Sequence, residues 1–199
     1  MFAERHPVFD WKADQVRPGR RSTVLPVRRE DLKAMAQWPR NNDPREVPFH
    51  DFPRDEASME AWFRACARNP LKQAWTVRDE HGAIIGRYGL VLVDAERKEG
   101  LLSVRFRADR TGQGYGQDSL PLLLDHWFDA LEMETMALDV SILNDRAIHI
   151  YEKLGFRLVG YHWVAVPREQ AAGVSDSGYV RYLDMQLDRE EWLKRRQRG

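Results

Sequence analysis

Cysteine is almost absent from this chain of 199 residues, which contains only Cys66. A single cysteine excludes an internal disulfide and a cysteine-based metal site, so we interpret Cys66 as a small buried hydrophobe and expect no metal. Long apolar stretches are absent as well. No run approaches the ~20 residues of a membrane span, and the first residues lack the apolar core of a secretion signal. These absences lead us to expect a cytoplasmic protein without a membrane partner.

An excess of charge of either sign is also absent. Lys and Arg together number 31, as do Asp and Glu, so the formal net charge is zero. This balance gives no electrostatic reason to expect a nucleic-acid partner, and the basic run 194–198 is interpreted as the end of a solvated helix. With 43% hydrophobic and 31% charged residues, the composition is typical of a folded domain. We expect an irregular extension over 1–20 and a single domain over 21–199.

The periodicity of the sequence predicts an α/β fold. Three β-rich runs, over 73–78, 83–93 and 100–107, are joined too tightly for a parallel crossover, so they must form antiparallel strands. A strand over 22–27 and two helices, over 29–38 and 55–67, are predicted before them. An amphipathic helix follows them, with an apolar stripe from Leu120 to Leu131 and Pro121 expected near its first turn, where a missing N–H costs little. The remaining elements are a strand, a helix, two strands and a terminal helix, predicted over 135–141, 144–154, 157–166, 179–187 and 188–196.

Three glycines at alternate positions form the most informative motif, Thr111-Gly112-Gln113-Gly114-Tyr115-Gly116, directly before the amphipathic helix. Backbone N–H groups without side-chain cover, together with the positive end of the helix dipole, suit a phosphate. A P-loop is excluded because no Lys-Ser/Thr follows. A dinucleotide fingerprint is excluded because the spacing is G-x-G-x-G and an antiparallel meander precedes it. A plain tight turn is the alternative interpretation.

A second motif follows the next predicted strand: Asn144-Asp145-Arg146-Ala147-Ile148-His149-Ile150-Tyr151-Glu152-Lys153-Leu154-Gly155-Phe156. With the meander and the glycine loop, it resembles the GNAT superfamily of acyl-CoA N-acetyltransferases, and most of all the branch that acetylates the termini of ribosomal proteins. The resemblance covers 22–187 in element order and is sharpest over 104–161. It implies a mixed, mostly antiparallel central sheet (β-α-α-β-β-β-α-β-α-β-β) with splayed central strands.

The resemblance also implies a site for acetyl-CoA. The pyrophosphate is expected on the loop formed by Thr111, Gly112, Gln113, Gly114, Tyr115 and Gly116. Thr111 departs from the basic or amide residue usual in the family, and the adjacent Arg110 is the alternative cation. The pantetheine arm is expected along the backbone of Phe106, Arg107 and Ala108, and at Asn144.

Acetyl transfer to an amine needs a proton donor for the leaving thiolate. Tyr151 corresponds to the family's tyrosine that reaches the thioester sulfur, so it is the predicted donor. A phenol, with a pKa of ~10, is a weaker acid than a thiol, with a pKa of ~8.5. Full proton transfer would therefore be uphill by about 2 kcal/mol, so we expect the proton to move late. The alternative for Tyr151 is a packing residue, and the alternative for Asn144 is a helix cap.

The same reaction needs a route for the amine proton. Glu99, at the start of its strand, is the predicted catalytic carboxylate, with a plain turn residue as the alternative. The loop after the first helix is predicted to bind the acceptor through Glu46, His50 and Asp51, with ordinary loop polarity as the alternative. His126 and His149 lie off the apolar stripes and are expected at the surface.

The predicted function is therefore direct, acetyl-CoA-dependent acetylation of a primary amine: the α-amine of a protein N-terminus, an amino acid or a small amine. A lysine-like amine needs about 4.6 kcal/mol to become neutral at pH 7, whereas an α-amine needs little more than ~1 kcal/mol. The lack of an obvious strong base therefore favours the α-amine. The alternative is a non-catalytic acyl-CoA-binding sensor or partner-docking module. A homodimer is compatible with the resemblance.

Overall fold

The computed structural model describes residues 17–40, 52–166 and 178–197. Three predicted acceptor-binding residues, Glu46, His50 and Asp51, lie outside the described residues, as does most of the predicted extension. The described end of that extension belongs to the sheet, because 17–18 pair with the next strand. Within these ranges, no helix has the length and apolar character needed to cross a bilayer.

The elements follow the predicted order, with a short additional strand at the start. The strands are β1 (Arg17–Pro18), β2 (Ser22–Pro26), β3 (Lys72–Asp79), β4 (Ile84–Asp94), β5 (Glu99–Phe106), β6 (Thr135–Ser141), β7 (Arg157–Ala165) and β8 (Tyr179–Asp188). The helices are α1 (Asp31–Ala36), α2 (Glu56–Arg68), α3 (Tyr115–Asp125), α4 (Asp145–Leu154) and α5 (Arg189–Arg196). A 3-10 turn, Ala108–Arg110, separates β5 from the glycine loop.

All described strands form one mixed sheet in the order β1-β2-β3-β4-β5-β6-β8-β7. Neighbours are antiparallel except for β5 and β6, which run parallel. These two strands pair only at their beginnings, where 99–101 of β5 lie against 135–137 of β6. Beyond that point they diverge, so the sheet opens into a gap at their carboxyl ends. The α/β fold and the splayed central strands are confirmed.

Each face of the sheet carries its own core because side chains alternate across a strand. On one face, α3 and α4 cover a large apolar cluster whose fully buried members include Trp75, Tyr88, Leu123, Trp127 and Met136. On the other face, α1 and α2 cover a smaller cluster that contains Leu32, Met35, Met59 and Ala74. Gly155 ends α4 with a φ of 100°, the left-handed conformation predicted for it.

Two predictions about α3 and its continuation are wrong. Pro121 lies in the second turn, because the helix already begins at Tyr115. His126 is buried and not at the surface: its ring packs edge-on against Trp75, with the centroids 4.8 Å apart. The helix continues as a π turn over His126–Ala130, which adds a residue to the turn. His126, Trp127 and Phe128 are therefore buried in succession.

Candidate active site

The gap between β5 and β6 continues into a pocket of about 410 Å³. Its walls come from the carboxyl halves of the two strands, from the start of α3 and from one face of α4. Eight of the predicted cofactor-binding residues line it: Phe106, Thr111, Gly112, Gly114, Tyr115, Gly116, Asn144 and Tyr151. Two motifs about 30 positions apart in the chain thus meet in one cavity.

The glycine loop forms one end of this pocket. Gly112 and Gly114 have φ values of 73° and 86°, in the left-handed region that favours glycine. The N–H groups of Gly114, Tyr115 and Gly116 donate to no acceptor within the described part of the chain. They stand at the first turn of α3, where the helix dipole is positive. These N–H groups and the helix dipole can bind a phosphate at this end of the pocket.

Side chains in the glycine loop hold its shape. The hydroxyl of Thr111 donates to the carbonyl of Ala108 at 2.9 Å, so Thr111 closes the preceding turn. Gln113 donates through Nε2 to the carbonyl of Asp109 at 2.9 Å and does not line the pocket. Arg21 reaches the carbonyl of Gln113 at 2.9 Å from the other side. The loop is therefore fixed by contacts outside the cavity.

Two arginines supply positive charge beside the loop. Arg110 lines the pocket and lies 3.5 Å from Asp79. Arg146, from the first turn of α4, also lines it, and its Nη1 lies 3.4 Å from where a Cβ on Gly112 would be. Arg110 was considered from the sequence as the substitute for a basic residue at Thr111. Arg146 was missed, although it stands in the quoted motif, because only the fold brings the start of α4 to the glycine loop.

The middle of the pocket is the open edge of β5. The N–H of Arg107 donates to the carbonyl of Ile85 on β4 at 2.8 Å. Since backbone groups alternate between the two sides of a strand, those of Val104 and Phe106 point away from β4 and into the gap. This direction supports the role predicted for Phe106. Arg107 and Ala108 do not line the pocket, so the predicted backbone contacts move from them to Val104.

Helix α4 presents Asn144 and Tyr151 on one face, two turns apart. The side-chain oxygen of Asn144 caps the helix by accepting from the N–H of Ala147 at 3.2 Å, which leaves its amide donors available. Tyr151 belongs to the core cluster, packs against Phe156 and also lines the pocket. The packing and functional interpretations of both residues are therefore compatible.

The floor below Tyr151 is the buried Tyr88, whose hydroxyl lies 2.6 Å from that of Ser119 on α3. Burial raises the pKa of Tyr88 well above its usual range, so this phenol stays neutral. Because the buried Tyr88 is neutral, the negative charge of a departing thiolate would be stabilised by Tyr151 and by the polar residues that line the pocket.

Glu99 is not brought to the pocket. It begins β5, where β5 and β6 are still paired, whereas the pocket starts at Leu102 and continues to the carboxyl end. Phe106 lies seven residues after Glu99 along the extended strand, about 23 Å at the rise of a strand. This geometry does not support the catalytic role predicted for Glu99. His149, in contrast, is exposed as expected and lies at the pocket rim.

A polar group of strand residues also lines the pocket. Its members are Arg105 on β5, Asp139 on β6 and Tyr182 on β8. Burial, opposed by a hydrogen bond with Ser141, raises the pKa of Tyr182 to about 12. Asp139 adjoins His162 and Asp184 on the neighbouring strands. No sequence motif marks these residues, because strand register alone brings them together.

A family model described as "Acetyltransferase (GNAT) domain" matches residues 21–157. The chain belongs to the GNAT acetyltransferase family. The match includes the glycine loop, both splayed strands and α4, so it covers every pocket-lining residue except Tyr182. The narrower likeness to acetyltransferases of ribosomal-protein termini is not specifically shown.

Curated relatives of this GNAT chain include two spermidine N(1)-acetyltransferases. That of Vibrio cholerae is 23% identical over 111 residues, which are 56% of this chain and 62% of the relative. The chain thus spans less than two thirds of that relative's length. The protein of Escherichia coli K12 is 24% identical over 137 residues, 69% of this chain and 73% of the relative.

The solved structures show the same fold. A spermidine N-acetyltransferase from Vibrio cholerae, crystallised with CoA and spermine, is similar with a TM-score of 0.71 and 19% sequence identity. The comparison covers 86% of this chain and 98% of that one. At this level of identity, the likeness establishes the fold.

GNAT acetyltransferases use acetyl-CoA, and the residues present here fit that molecule. The N–H groups of Gly114 to Gly116, with Arg110 and Arg146, would hold the pyrophosphate. The outward backbone of Val104 and Phe106, with the amide of Asn144, would hold an extended chain carrying amide groups, as pantetheine does. Tyr151 would stand at the thioester end.

Proposed function

We propose that the chain transfers an acetyl group directly from acetyl-CoA to a primary amine. The observation that carries this proposal is the splayed gap, which joins an anion-binding loop, an open strand edge and Tyr151 in one pocket. Direct transfer needs no covalent enzyme intermediate. Cys66 is half-buried on α2 and burial raises its thiol pKa, so it is a poor nucleophile.

The acetyl-CoA thioester supplies an acyl carbon already activated for attack. The chain binds it by its phosphates, aligns it along β5, and leaves its reactive end facing the polar group on β6 and β8. Tyr151 donates a hydrogen bond to the departing sulfur and then the proton that yields the free thiol. Because the phenol is the weaker acid, this proton moves only as negative charge develops on sulfur.

We propose that the acceptor is an α-amine of a peptide, an amino acid or a small amine. The preference for a weakly basic amine rested on the lack of a nearby base. The structure supplies such a group near the pocket, formed by Asp139, His162 and Asp184. Its carboxylates can bind a cationic amine and its imidazole can accept the proton, so a more basic amine is also a reasonable acceptor. The small amine named in the relatives, spermidine, therefore belongs among the acceptors to test.

The experiment has two stages. Calorimetry with CoA first measures binding, and release of free thiol then reports turnover with spermidine, glycinamide and a tripeptide that has a free α-amine. We expect CoA to bind and at least one amine to support thiol release. CoA binding without turnover across this panel would favour the alternative, an acyl-CoA sensor. Absence of CoA binding would contradict both.

We also propose a cytoplasmic homodimer. The lone cysteine suits a reducing compartment. The edge strand β7 exposes large apolar side chains, including Leu158, Tyr161 and Trp163, which a second copy could cover. Sedimentation analysis should give about twice the mass of the chain, 23.3 kDa. A monomer at micromolar concentration would contradict this proposal.

A further inference from the structure

Three strands place a histidine between two carboxylates beside the pocket. In the sheet register, Asp139 on β6 pairs with Asp184 on β8, and His162 on β7 pairs with Tyr182, two residues before Asp184. His162 Nδ1 lies 2.8 Å from Asp184 Oδ1, and His162 Nε2 lies 3.8 Å from Asp139 Oδ2. Asp139 also lines the pocket. The imidazole is thus joined to the cavity through Asp139.

We propose that His162, oriented by Asp184, receives the proton that the acceptor amine loses, and that Asp139 binds the incoming ammonium group. This inference rests on the proposed N-acetyltransferase function and assigns the base that function needs. His162 and Asp139 are catalytic residues in this scheme because both touch the acceptor, whereas Asp184 is a positioning residue.

The hydrogen bond to Asp184 defines the state of the imidazole. An ionised carboxylate only accepts hydrogen bonds, so Nδ1 carries a proton, and in the neutral imidazole Nε2 then presents its lone pair. Nε2 of His162 lies 3.8 Å from Oδ2 of Asp139. An amine nitrogen can lie about 2.8 Å from each of these two atoms at once, so one amine can contact both side chains.

Local packing keeps this arrangement open. Gly160 has no side chain, and a Cβ there would lie 3.3 Å from Asp184 Oδ2. The rings of His162 and Tyr182 lie 5.8 Å apart, which limits movement of the imidazole on one side. The side chains of His162 and Asp139 are each 45% exposed, so an acceptor can reach them and a proton can leave to water.

Charged and titratable groups face His162 from several strands. Asp184 and Tyr182 face it from β8, and Asp139 faces it from β6. Arg105 on β5 opposes them, since it lies close enough to interact with Tyr182. Asp139 and Asp184 place negative charge beside His162, which attracts a protonated amine before the reaction.

The step balances as follows. The neutral amine nitrogen forms a bond to the acetyl carbon, and the bond from that carbon to sulfur breaks. One proton passes from nitrogen to Nε2 of His162, while the sulfur receives a proton from Tyr151. An ammonium group first loses one proton to water, which yields the neutral amine that attacks. After the attack His162 releases its proton to water and Tyr151 regains one from water, so the net products from an ammonium are the N-acetyl amine, free thiol and one proton.

The test uses the full chain, with spermidine and glycinamide as acceptors. His162→Gln removes the base but keeps a polar side chain, and should lower kcat/KM at pH 7 by about 10²-fold or more. The pH profile of kcat/KM should lose the inflection that belongs to the general base. The CoA dissociation constant from calorimetry should stay unchanged. His81→Gln, at an exposed turn, is the matched control and should keep full activity.

The carboxylates separate binding from proton transfer. Asp139→Asn should raise KM for spermidine several-fold and weaken spermidine binding to the protein alone, measured by calorimetry. Asp184→Asn should lower kcat with little change in KM, because it disturbs only the orientation of His162. A His162→Gln protein that is folded, binds CoA and retains the wild-type rate and pH profile overturns the inference. A wild-type protein without activity on these amines contradicts the proposed function instead.

Discussion

Among single residues, Tyr151 combines a packing role with a proposed chemical one. Its ring is part of the core cluster and contacts Phe156, while its side chain also lines the pocket. Tyr151→Phe keeps the ring and removes only the hydroxyl. We expect turnover to fall by about 10²-fold or more, with the CoA dissociation constant nearly unchanged, because a proton donor acts mainly in the transition state. Steady-state thiol release and calorimetry measure the two quantities.

The matched control for this change is Tyr161→Phe, which removes a mostly exposed hydroxyl on β7. Its turnover should equal that of the wild type. If Tyr151→Phe also kept full turnover, Tyr151 would be only a packing residue.

At the level of secondary-structure elements, α4 begins at a residue that has two proposed tasks. Asn144 caps the helix through its oxygen and is proposed to bind the pantetheine arm through its amide N–H groups. Asn144→Asp keeps the accepting oxygen and loses the donors. It should retain the unfolding free energy within about 0.5 kcal/mol while weakening CoA binding, whereas Asn144→Ala should also cost about 1 kcal/mol of stability. Urea unfolding and calorimetry separate the two effects, and unchanged CoA binding in Asn144→Asp would assign Asn144 to the cap alone.

The elements also show what the sequence could predict. The short turns between three β-rich runs were enough to predict the antiparallel meander. The glycine loop and the segment 144–156 are local motifs, so their order in the sequence was enough to predict their positions in the fold. Asp139, His162 and Asp184 lie on three strands and carry no local pattern, so only the sheet register brings them together. His126 was misplaced because a π turn changes the helical period within a single element.

For the whole molecule, the same splay that defines the family separates two chemical environments. Arg110 and Arg146 lie beside the glycine loop and suit phosphates, while Asp139 on β6 supplies the carboxylate that we propose binds an ammonium group. The proposed order of the reactants in the pocket rests on this difference in charge. Glu99 lies where the strands are still paired, and its position at the start of β5 already implied this separation from the glycine loop.

Stability at alkaline pH is also a property of the whole molecule. Burial raises the pKa of Tyr88 above its usual range, and burial likewise raises that of Tyr182 to about 12. The unfolded chain loses these protons near pH 10, about their usual pKa, whereas the folded chain loses them only at higher pH. The contribution of the two tyrosines to the unfolding free energy is therefore fully present below about pH 10 and falls above it. Tyr88→Phe should therefore cost about 1 kcal/mol of unfolding free energy at pH 7 through the lost contact with Ser119, yet its unfolding free energy should decline less steeply between about pH 10 and 11.5.

Urea unfolding at stepped pH measures both quantities, with Tyr161→Phe as the exposed control. Parallel declines in Tyr88→Phe and the wild type would show that ionisation of Tyr88 has no part in the alkaline transition.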